Sequence, residues 1–184
     1  MDNNFEENLL KYLENKRNEM KQNFNRVLPT NELLFNRFEK AKYLNCGISS
    51  SVYDTSVVMG DVEIGDNVWI GPYTILEGIN GKLKIGNFVS INAGVAIYTH
   101  DSTKYYVSGG KIPFDKGDVS IGDNTVIGTM SIVSSGVKIG KHCIIGANSF
   151  VNKDVPDYSI AYGTPVRIVG KVKLTENNIE FIYD

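Results

Sequence analysis

The sequence predicts an all-β main domain: a left-handed parallel β-helix of about five coils, with an N-terminal helical segment and a short C-terminal tail. Two observations support this fold class. A branched aliphatic residue recurs every six residues from Val52 onward, and a small or β-branched residue follows four positions after each one. A period of six fits neither an α-helix nor a strand of an ordinary sheet, but it fits a coil of three short strands with one six-residue unit per side.

The repeated residues are predicted to fill the interior of a triangular prism. The aliphatic positions are Val52, Val58, Ile64, Ile70, Leu76, Ile85, Ile91, Ile97, Ile121, Ile127, Val133, Ile139, Ile145 and Val151. The small positions beside them are Ser56, Val62, Val68, Thr74, Val89, Val95, Thr125, Ser131, Val137, Cys143, Ser149 and Val155. Asp66-Asn67 and Asp123-Asn124 are residue types that tolerate the backbone angles of a tight corner, so we place corners there.

Two interruptions of the repeat divide the main domain. Three extra residues enter at 82–84 and twelve at about 103–114. The second interruption predicts an extruded loop containing Tyr105 and Tyr106, and loops on rigid scaffolds often carry function. Counting unit starts from 52 to 151, with one start at 115, gives fifteen units or five coils of three.

The same count predicts which residues share an edge of the prism. Units beginning at 97, 127 and 145 would stack on one another, because they lie three units apart in the count. Thr99, Thr129 and Ala147 would then form one row of small residues, at steps of about 4.8 Å, beside His100. A row of this kind would form a groove lined by small side chains, with backbone groups exposed along it.

Outside the repeat, the chain divides into two further segments. Residues 1–45 are predicted to be helical, 46–156 to form the β-helix, and 157–184 to form a C-terminal loop and polar tail with a short helix. Apolar residues four or seven apart predict an amphipathic helix up to about residue 28, and Pro29 separates it from a second helix at about 31–43, which Thr30 would cap. The apolar positions of the first helix are Phe5, Leu9, Leu13, Met20 and Phe24.

Composition limits the classes of function. The 184 residues suffice for one sizeable core, and 19 basic against 21 acidic residues give no field that would attract nucleic acid. Cys46 and Cys143 lack CxxC spacing, so neither a disulfide framework nor a cysteine zinc site is indicated. The N-terminus has no basic start followed by an apolar run, and no stretch approaches a membrane span, so we expect a cytoplasmic protein without membrane insertion.

Several motifs resemble those of a known family. They are the hexapeptide repeats, the pair His100-Asp101 opening a loop, the run Ile121-Gly122-Asp123-Asn124, and Ala161-Tyr162-Gly163-Thr164-Pro165-Val166-Arg167 near the end. Over roughly residues 50–171 the chain resembles the hexapeptide-repeat acyltransferases. Within that family it is most similar to bacterial sugar O-acetyltransferases, namely the galactoside and maltose acetyltransferases and those of surface-polysaccharide synthesis.

This resemblance implies a function and a set of site residues. It implies a homotrimer that binds acetyl-CoA in a groove between neighbouring subunits, with a loop histidine, here His100, as the general base. The acetyl group would move directly to a hydroxyl or amine of a sugar or nucleotide-linked sugar. The matching cofactor positions are Thr129, Ala147, Lys153 and Arg167, with Gly163 shaping the loop near the pantetheine or adenine.

Chemistry alone leaves several of these roles open. Histidine can accept a proton near neutral pH, so His100 is the candidate base or a loop cap, and Asp101 either orients it or serves the turn. Thr129 offers its backbone N–H to a thioester carbonyl or is only a corner residue, and Lys153 and Arg167 bind CoA phosphates or are surface charges. His142 is expected at a solvated corner on another edge and Cys143 in the packed interior. Aromatic residues of the loop, and Trp69, either contact a sugar or pack.

Other functions are compatible with the same fold. An acetyltransferase for an amino acid or an antibiotic is one alternative, and a non-catalytic β-helix scaffold, which would not bind CoA, is another. A γ-type carbonic anhydrase requires three histidine ligands for zinc, whereas the chain has two histidines, His100 and His142, on different edges. No metal site is therefore predicted.

Overall fold

A computed structural model describes residues 3–184, so the first two residues of the predicted N-terminal segment lie outside the described residues. The helices are α1 (Asn3–Phe24), α2 (Thr30–Leu34), α3 (Arg37–Tyr43) and α4 (Thr103–Val107). The strands are β1 (Ser51–Val52), β2 (Val57–Ile64), β3 (Trp69–Ile70), β4 (Ile75–Ile85), β5 (Ser90–Ile91), β6 (Ala96–Ile97), β7 (His100–Asp101), β8 (Asp115–Lys116), β9 (Val119–Ile121), β10 (Val126–Ile127), β11 (Ile132–Val133), β12 (Lys138–Ile139), β13 (Ile144–Ile145), β14 (Phe150–Val151), β15 (Ser159–Tyr162), β16 (Arg167–Leu174) and β17 (Ile179–Tyr183). Within 3–184, no helix is both long and apolar enough to cross a bilayer.

The strands stack in parallel on three sides of a coil, which confirms the predicted β-helix. On the first side, β1, β3, β5, β10, β13 and β15 follow one another as parallel neighbours. On the second side, the opening residues of β2 and β4 stack with β6, β11 and β14. Since β2 and β4 are long enough to turn a corner, their closing residues continue onto the third side, where β4 stacks with β9 and β9 with β12.

The repeated positions form the core as predicted. Every repeated aliphatic except Val58 and every paired small residue except Val62 is buried, and these two are partly buried against the same cluster. Four of the five buried hydroxyls at the small positions donate to backbone carbonyls, as in Ser56 Oγ to Gly71 O at 2.7 Å and Ser131 Oγ to Gly146 O at 2.9 Å. These small residues therefore pack inside the prism with their hydroxyls paired, apart from Thr74, whose Oγ1 has no hydrogen-bond partner among the described residues.

The number and the stacking of the coils differ from the prediction. Six strands stack on the first side rather than five, because Ala161 in β15 continues the column below Ile145. The predicted unit at 115 is wrong: Asp115 lies in β8, which pairs antiparallel with β7 outside the coil. With that unit removed, every later unit moves by one side. Ile97 stacks on Val133, not on Ile127.

The two ends of the chain also differ from the prediction. The second N-terminal helix is two short helices, because Phe35 is extended and the Asn36 side chain accepts a bond from the Phe38 N–H at 2.8 Å, which starts α3 anew. Thr30 is the first residue of α2 rather than its cap. The predicted tail with a short helix is instead the antiparallel hairpin of β16 and β17.

The fold predicts a contrast between two neighbours on β10. Ile127 is fully buried and Val126 is 38% exposed. Ile127→Ala should lower the free energy of unfolding by about 2–5 kcal/mol, because it leaves a cavity in a packed interior. Val126→Ala should lower it by about 0.5 kcal/mol or less. Urea unfolding followed by circular dichroism measures both, and equal losses would contradict the inward assignment of the repeat.

Candidate active site

His100 stands where the chain leaves the coil. It follows the buried Thr99 at the end of the unit that begins at Ile97, and it opens the excursion of β7, α4 and β8. The pairing of His100 with Lys116 closes this excursion, and the Gly117 N–H donates to Thr99 O at 2.9 Å as the chain returns. The imidazole is 25% exposed, so it is held by the protein and is still accessible from outside.

A buried carboxylate holds the imidazole. Glu77 is 1% exposed, and its Oε2 lies 2.9 Å from His100 Nδ1. The same oxygen accepts bonds from the Thr99 N–H at 2.9 Å and the Thr99 hydroxyl at 3.1 Å, and Oε1 accepts from the Ile79 N–H at 2.5 Å. The contacts from Thr99 and His100 reach Glu77 because Leu76 stacks directly on Ile97.

These bonds keep Glu77 ionised. Burial alone would raise the pKa of a carboxyl group, because it penalises the charged form. The backbone N–H of Thr99, the His100 ring, the Ile79 N–H and the Thr99 hydroxyl act in the opposite direction, and the pKa of Glu77 is lower than its ordinary value.

The ionised carboxylate determines how His100 is protonated. A carboxylate can only accept hydrogen bonds, so Nδ1 of His100 must carry the hydrogen that it shares with Glu77. In the neutral ring Nε2 then has a free lone pair and can accept a proton. An imidazole that is oriented by a carboxylate in this way is suited to general-base chemistry.

The extruded loop packs an aromatic cluster against His100. The Phe114 ring stacks on the imidazole with centroids 5.6 Å apart and planes 19° apart, and Tyr105 meets Phe114 edge-on at 4.9 Å. The Lys104 ammonium and the Asp115 carboxylate, 2.8 Å apart, join the two arms of the loop. The predicted loop aromatics therefore pack together, and they form one wall beside the histidine.

A shallow groove opens from His100 across the second side of the coil. It holds about 300 Å³. Its other lining residues are Tyr98, Asp101, Ser102, Ile132, Ser134, Ser135 and Phe150. Two of these, Ile132 and Phe150, lie at the outward positions of β11 and β14, so the groove runs along the strands below His100.

Two acid–base alternatives from the sequence are resolved by the contacts. The Asp101 carboxylate accepts the Thr103 N–H at 2.7 Å and so belongs to the turn that begins the loop, while Glu77 faces the imidazole. His142 lies at another corner, as predicted, where its ring stacks on Tyr158 at 4.8 Å.

Cys143 is buried in the core, as predicted, and burial raises the pKa of its thiol.

The predicted row beside His100 is wrong in one member. Since Ile127 stacks with Ile91 and Ile145, Thr129 and Ala147 follow the first side of the coil, whereas Thr99 follows the second. The residues two positions after the inward residues of the first side form a row along one corner of the coil. This row is Pro72, Ala93, Thr129, Ala147 and Gly163. The Asn148 N–H donates to Thr129 O at 2.9 Å, which ties neighbouring coils together along this row.

The two basic candidates lie at different corners. Lys153 is two residues beyond Val151, which stacks below Val133 and Ile97, so it shares the corner of Thr99 and His100. Arg167 pairs with Tyr162 next to Gly163, at the far end of the small-residue row. The structure thus brings Thr129, Ala147, Gly163 and Arg167 together, and it separates them from Lys153 by the width of the second side.

Sequence reasoning missed Glu77. The signal was present, because both interruptions of the repeat follow units of the second side, at Leu76 and at Ile97. An acidic residue in the unit before the first interruption therefore lies one coil from a histidine in the unit before the second. The wrong unit at 115 did not hide this relation, since both interruptions precede it.

The Glu77 contacts predict a pH-dependent contribution to stability. Folding lowers the pKa of Glu77, so its carboxylate stabilises the fold above the unfolded carboxyl pKa of about 4.3, and this contribution is lost as the pH falls through the folded value. Glu77→Gln should cost about 1–3 kcal/mol at neutral pH, because it weakens bonds to buried donors. The cost should shrink as the pH falls from about 5 to about 3.

Glu63→Gln is the matched control, measured by chemical unfolding over the same pH range. Glu63 is also a bonded glutamate, with Lys82 Nζ at 2.8 Å and Lys84 Nζ at 3.1 Å, but it is exposed, and exposed ion pairs contribute little. A loss for Glu77→Gln that does not depend on pH, or one no larger than that of Glu63→Gln, would contradict the role of the buried carboxylate.

Comparison with known proteins agrees with the repeat and the fold. Residues 118–153 match the bacterial transferase hexapeptide (six repeats) family. The bifunctional protein GlmU of Gloeothece citriformis is 35% identical over 137 residues, which are 64% of this chain and 30% of that protein. The dTDP-3-amino-3,6-dideoxy-alpha-D-galactopyranose 3-N-acetyltransferase of Aneurinibacillus thermoaerophilus is 43% identical over 56 residues, 30% of this chain and 29% of that enzyme.

A solved structure extends the comparison of the fold. The hexapeptide-repeat-containing acetyltransferase of Vibrio cholerae, complexed with acetyl coenzyme A, has a TM-score of 0.66 at 24% identity and covers 89% of this chain and 88% of its own. This likeness shows a shared fold, and the chain spans less than a third of the two curated relatives above. The matched repeats, the aligned relatives and the common β-helix confirm that the chain resembles the hexapeptide-repeat acyltransferases.

Proposed function

We propose that this protein transfers an acetyl group from acetyl-CoA to a hydroxyl or amine of a sugar or nucleotide-linked sugar. His100 Nε2 takes the proton of the acceptor, whose oxygen or nitrogen bonds to the thioester carbonyl carbon. The carbon–sulfur bond then breaks, and the CoA thiolate leaves and takes up the proton that the imidazolium held. The observation that carries the proposal is the Glu77–His100 contact of 2.9 Å at the mouth of an open groove.

The corner row supports the placement of the cofactor. Ala147 and Thr129 are exposed small residues on successive coils, and they leave room along the corner for an extended pantetheine arm. Arg167 at the end of the row supplies a cation for a CoA phosphate. The backbone N–H of Thr129 makes no hydrogen bond within residues 3–184, and it serves in this proposal as a donor to the thioester carbonyl.

The separation of the row from His100 supports a homotrimer. The row and His100 lie at opposite edges of the second side. A cofactor bound on the row of one copy is therefore more easily reached by the His100 of a neighbouring copy. Cyclic assembly would place the His100 edge of each subunit against the row of the next, which completes three equal sites. Lys153, on the His100 corner, would then face the same cofactor from the neighbouring copy.

A nucleotide-linked amino sugar is the acceptor class with the most support. The relative from Aneurinibacillus thermoaerophilus is named for a dTDP-linked amino sugar, and its aligned segment has the higher identity of the two. The aromatic wall of Tyr105 and Phe114 beside His100 offers a face on which a sugar ring can pack.

His100→Ala tests the base directly. The variant should transfer acetyl groups about 10²–10⁴-fold more slowly, since general-base catalysis contributes that much, while its affinity for acetyl-CoA stays close to that of the parent. Release of free CoA thiol measures the rate, and calorimetry measures binding. His142→Ala changes the only other histidine and should leave the rate unchanged. Near-normal turnover by His100→Ala would remove this assignment.

Ala147→Phe tests the row. A bulky ring at this exposed corner should obstruct the pantetheine arm and weaken acetyl-CoA binding with little loss of stability, because the interior is filled by Ile145 and Ser149. Lys141→Phe places the same ring at a different, exposed corner, that of His142, and should leave binding unchanged. If both variants bind acetyl-CoA as the parent does, the cofactor lies elsewhere.

A further inference from the structure

A second and larger cavity lies away from His100, between the N-terminal helices and the first coil. It holds about 600 Å³ and shares no lining residue with the groove at His100. Helix α1, the segment after it, α2, α3 and Tyr53 of the first coil enclose it. The proposed transfer reaction makes no use of this cavity.

Two arginines converge at its base on a single oxygen. Arg26 Nη2 donates to the Tyr53 hydroxyl at 2.5 Å, and Arg37 Nη1 donates to the same oxygen at 3.4 Å. The guanidinium carbon of Arg37 also lies 5.5 Å from the centre of the Tyr53 ring. The two cations are thus held side by side. Since a phenol oxygen accepts at most two such bonds, its own hydrogen remains available to donate to a third group.

Within residues 3–184, the ion pairs involve neither Arg26 nor Arg37. Three glutamates line the cavity: Glu32 accepts from the N–H and the hydroxyl of Thr55, Glu19 pairs with Lys16, and Glu39 forms an ion pair with neither arginine. Like charges at close range repel, and an anion bound between them relieves the repulsion and accepts hydrogen bonds from both.

Aromatic and apolar side chains share the walls of the cavity with polar and charged ones. Phe24, Phe35 and Phe38 line it and are each about half exposed or more, although they are large apolar side chains. Tyr12 and Met20 of α1 also line it. Flat rings pack against such side chains, so the cavity offers aromatic surface beside two guanidiniums and a phenol.

From these contacts we infer that the cavity binds a nucleoside phosphate, with its phosphate at Arg26, Arg37 and the Tyr53 hydroxyl and its base between the aromatic side chains. Paired guanidiniums suit the oxygens of a phosphate, and the cavity volume lies within the usual range for small-molecule sites. The site is distinct from the proposed acetyl-transfer site, and it can exist whether or not that proposal holds.

Calorimetric titration of the full chain with UMP tests this inference, with uridine and inorganic phosphate as separate ligands. UMP should bind more tightly than phosphate alone, and uridine should bind most weakly. Arg26→Gln and Arg37→Gln should each weaken UMP binding about tenfold or more, because each removes a charge-assisted bond. Tyr53→Phe keeps the ring and its edge contact with Trp69 and should also weaken binding.

Arg17→Gln is the matched control. Arg17 is an exposed arginine of α1 that bonds to Thr30 Oγ1 and does not line the cavity, so UMP binding should be unchanged. His100→Ala should also bind UMP as the parent does, which separates this site from the acetyl-transfer groove. Failure of UMP to bind, equal binding by Tyr53→Phe and the parent, or a loss confined to His100→Ala would each overturn the inference. Equal affinity for phosphate and UMP would overturn its nucleoside part.

Discussion

The stacking of each inward aliphatic on its equivalent in the next coil determines where every other group of this molecule lies. A six-residue period leaves only one large residue per unit to fill the interior, so a slip of register would expose an entire column of Val, Ile and Leu side chains. Leu76 must therefore lie on Ile97, and whatever follows these two residues is brought together outside the core. Glu77 and His100 meet for this reason.

Burying Glu77 is costly unless its charge is compensated. An ionised carboxylate removed from water loses several kcal/mol of hydration, which hydrogen bonds or an opposite charge must offset. Two backbone N–H groups, one hydroxyl and one imidazole do so here, and three of these four donors come from the place where the chain leaves the coil at Thr99 and His100. The carboxylate thus fixes both the exit of the loop and the orientation of the ring.

The sequence was sufficient to predict the coil and its interior, because the residue type at each repeated position indicates that the position is buried. It was insufficient to predict on which side of the coil the chain resumes after a long insertion. Asp115 fits the spacing by chance, and only the antiparallel pairing of β7 with β8 shows that the coil resumes at Val119. This single unit moved Thr129 and Ala147 to the wrong edge while leaving their mutual stacking correct.

The candidate site was predictable in the same uneven way. His100 was accessible from its position at the head of a loop, and the resemblance to known acyltransferases indicated its role. Glu77 has no such signal among its own neighbours in sequence, and only the stacking of Leu76 on Ile97 across coils relates it to His100. Likewise, the Asn36 side chain accepts the Phe38 N–H and starts α3, so the single predicted helix is divided in two. Apolar periodicity does not show where a side chain replaces the backbone as the acceptor of such a bond.

A double-mutant cycle between Glu77 and His100 tests whether the buried carboxylate acts through the imidazole. Acetyl-transfer rates would be measured for the parent, Glu77→Gln, His100→Ala and the double variant, with acetyl-CoA affinity measured in parallel. If Glu77 acts through His100, Glu77→Gln should lower kcat in the parent and cause no further loss in the His100→Ala background. Equal losses in both backgrounds would show that Glu77 supports only the fold, and His100 would then not be a base oriented by a carboxylate.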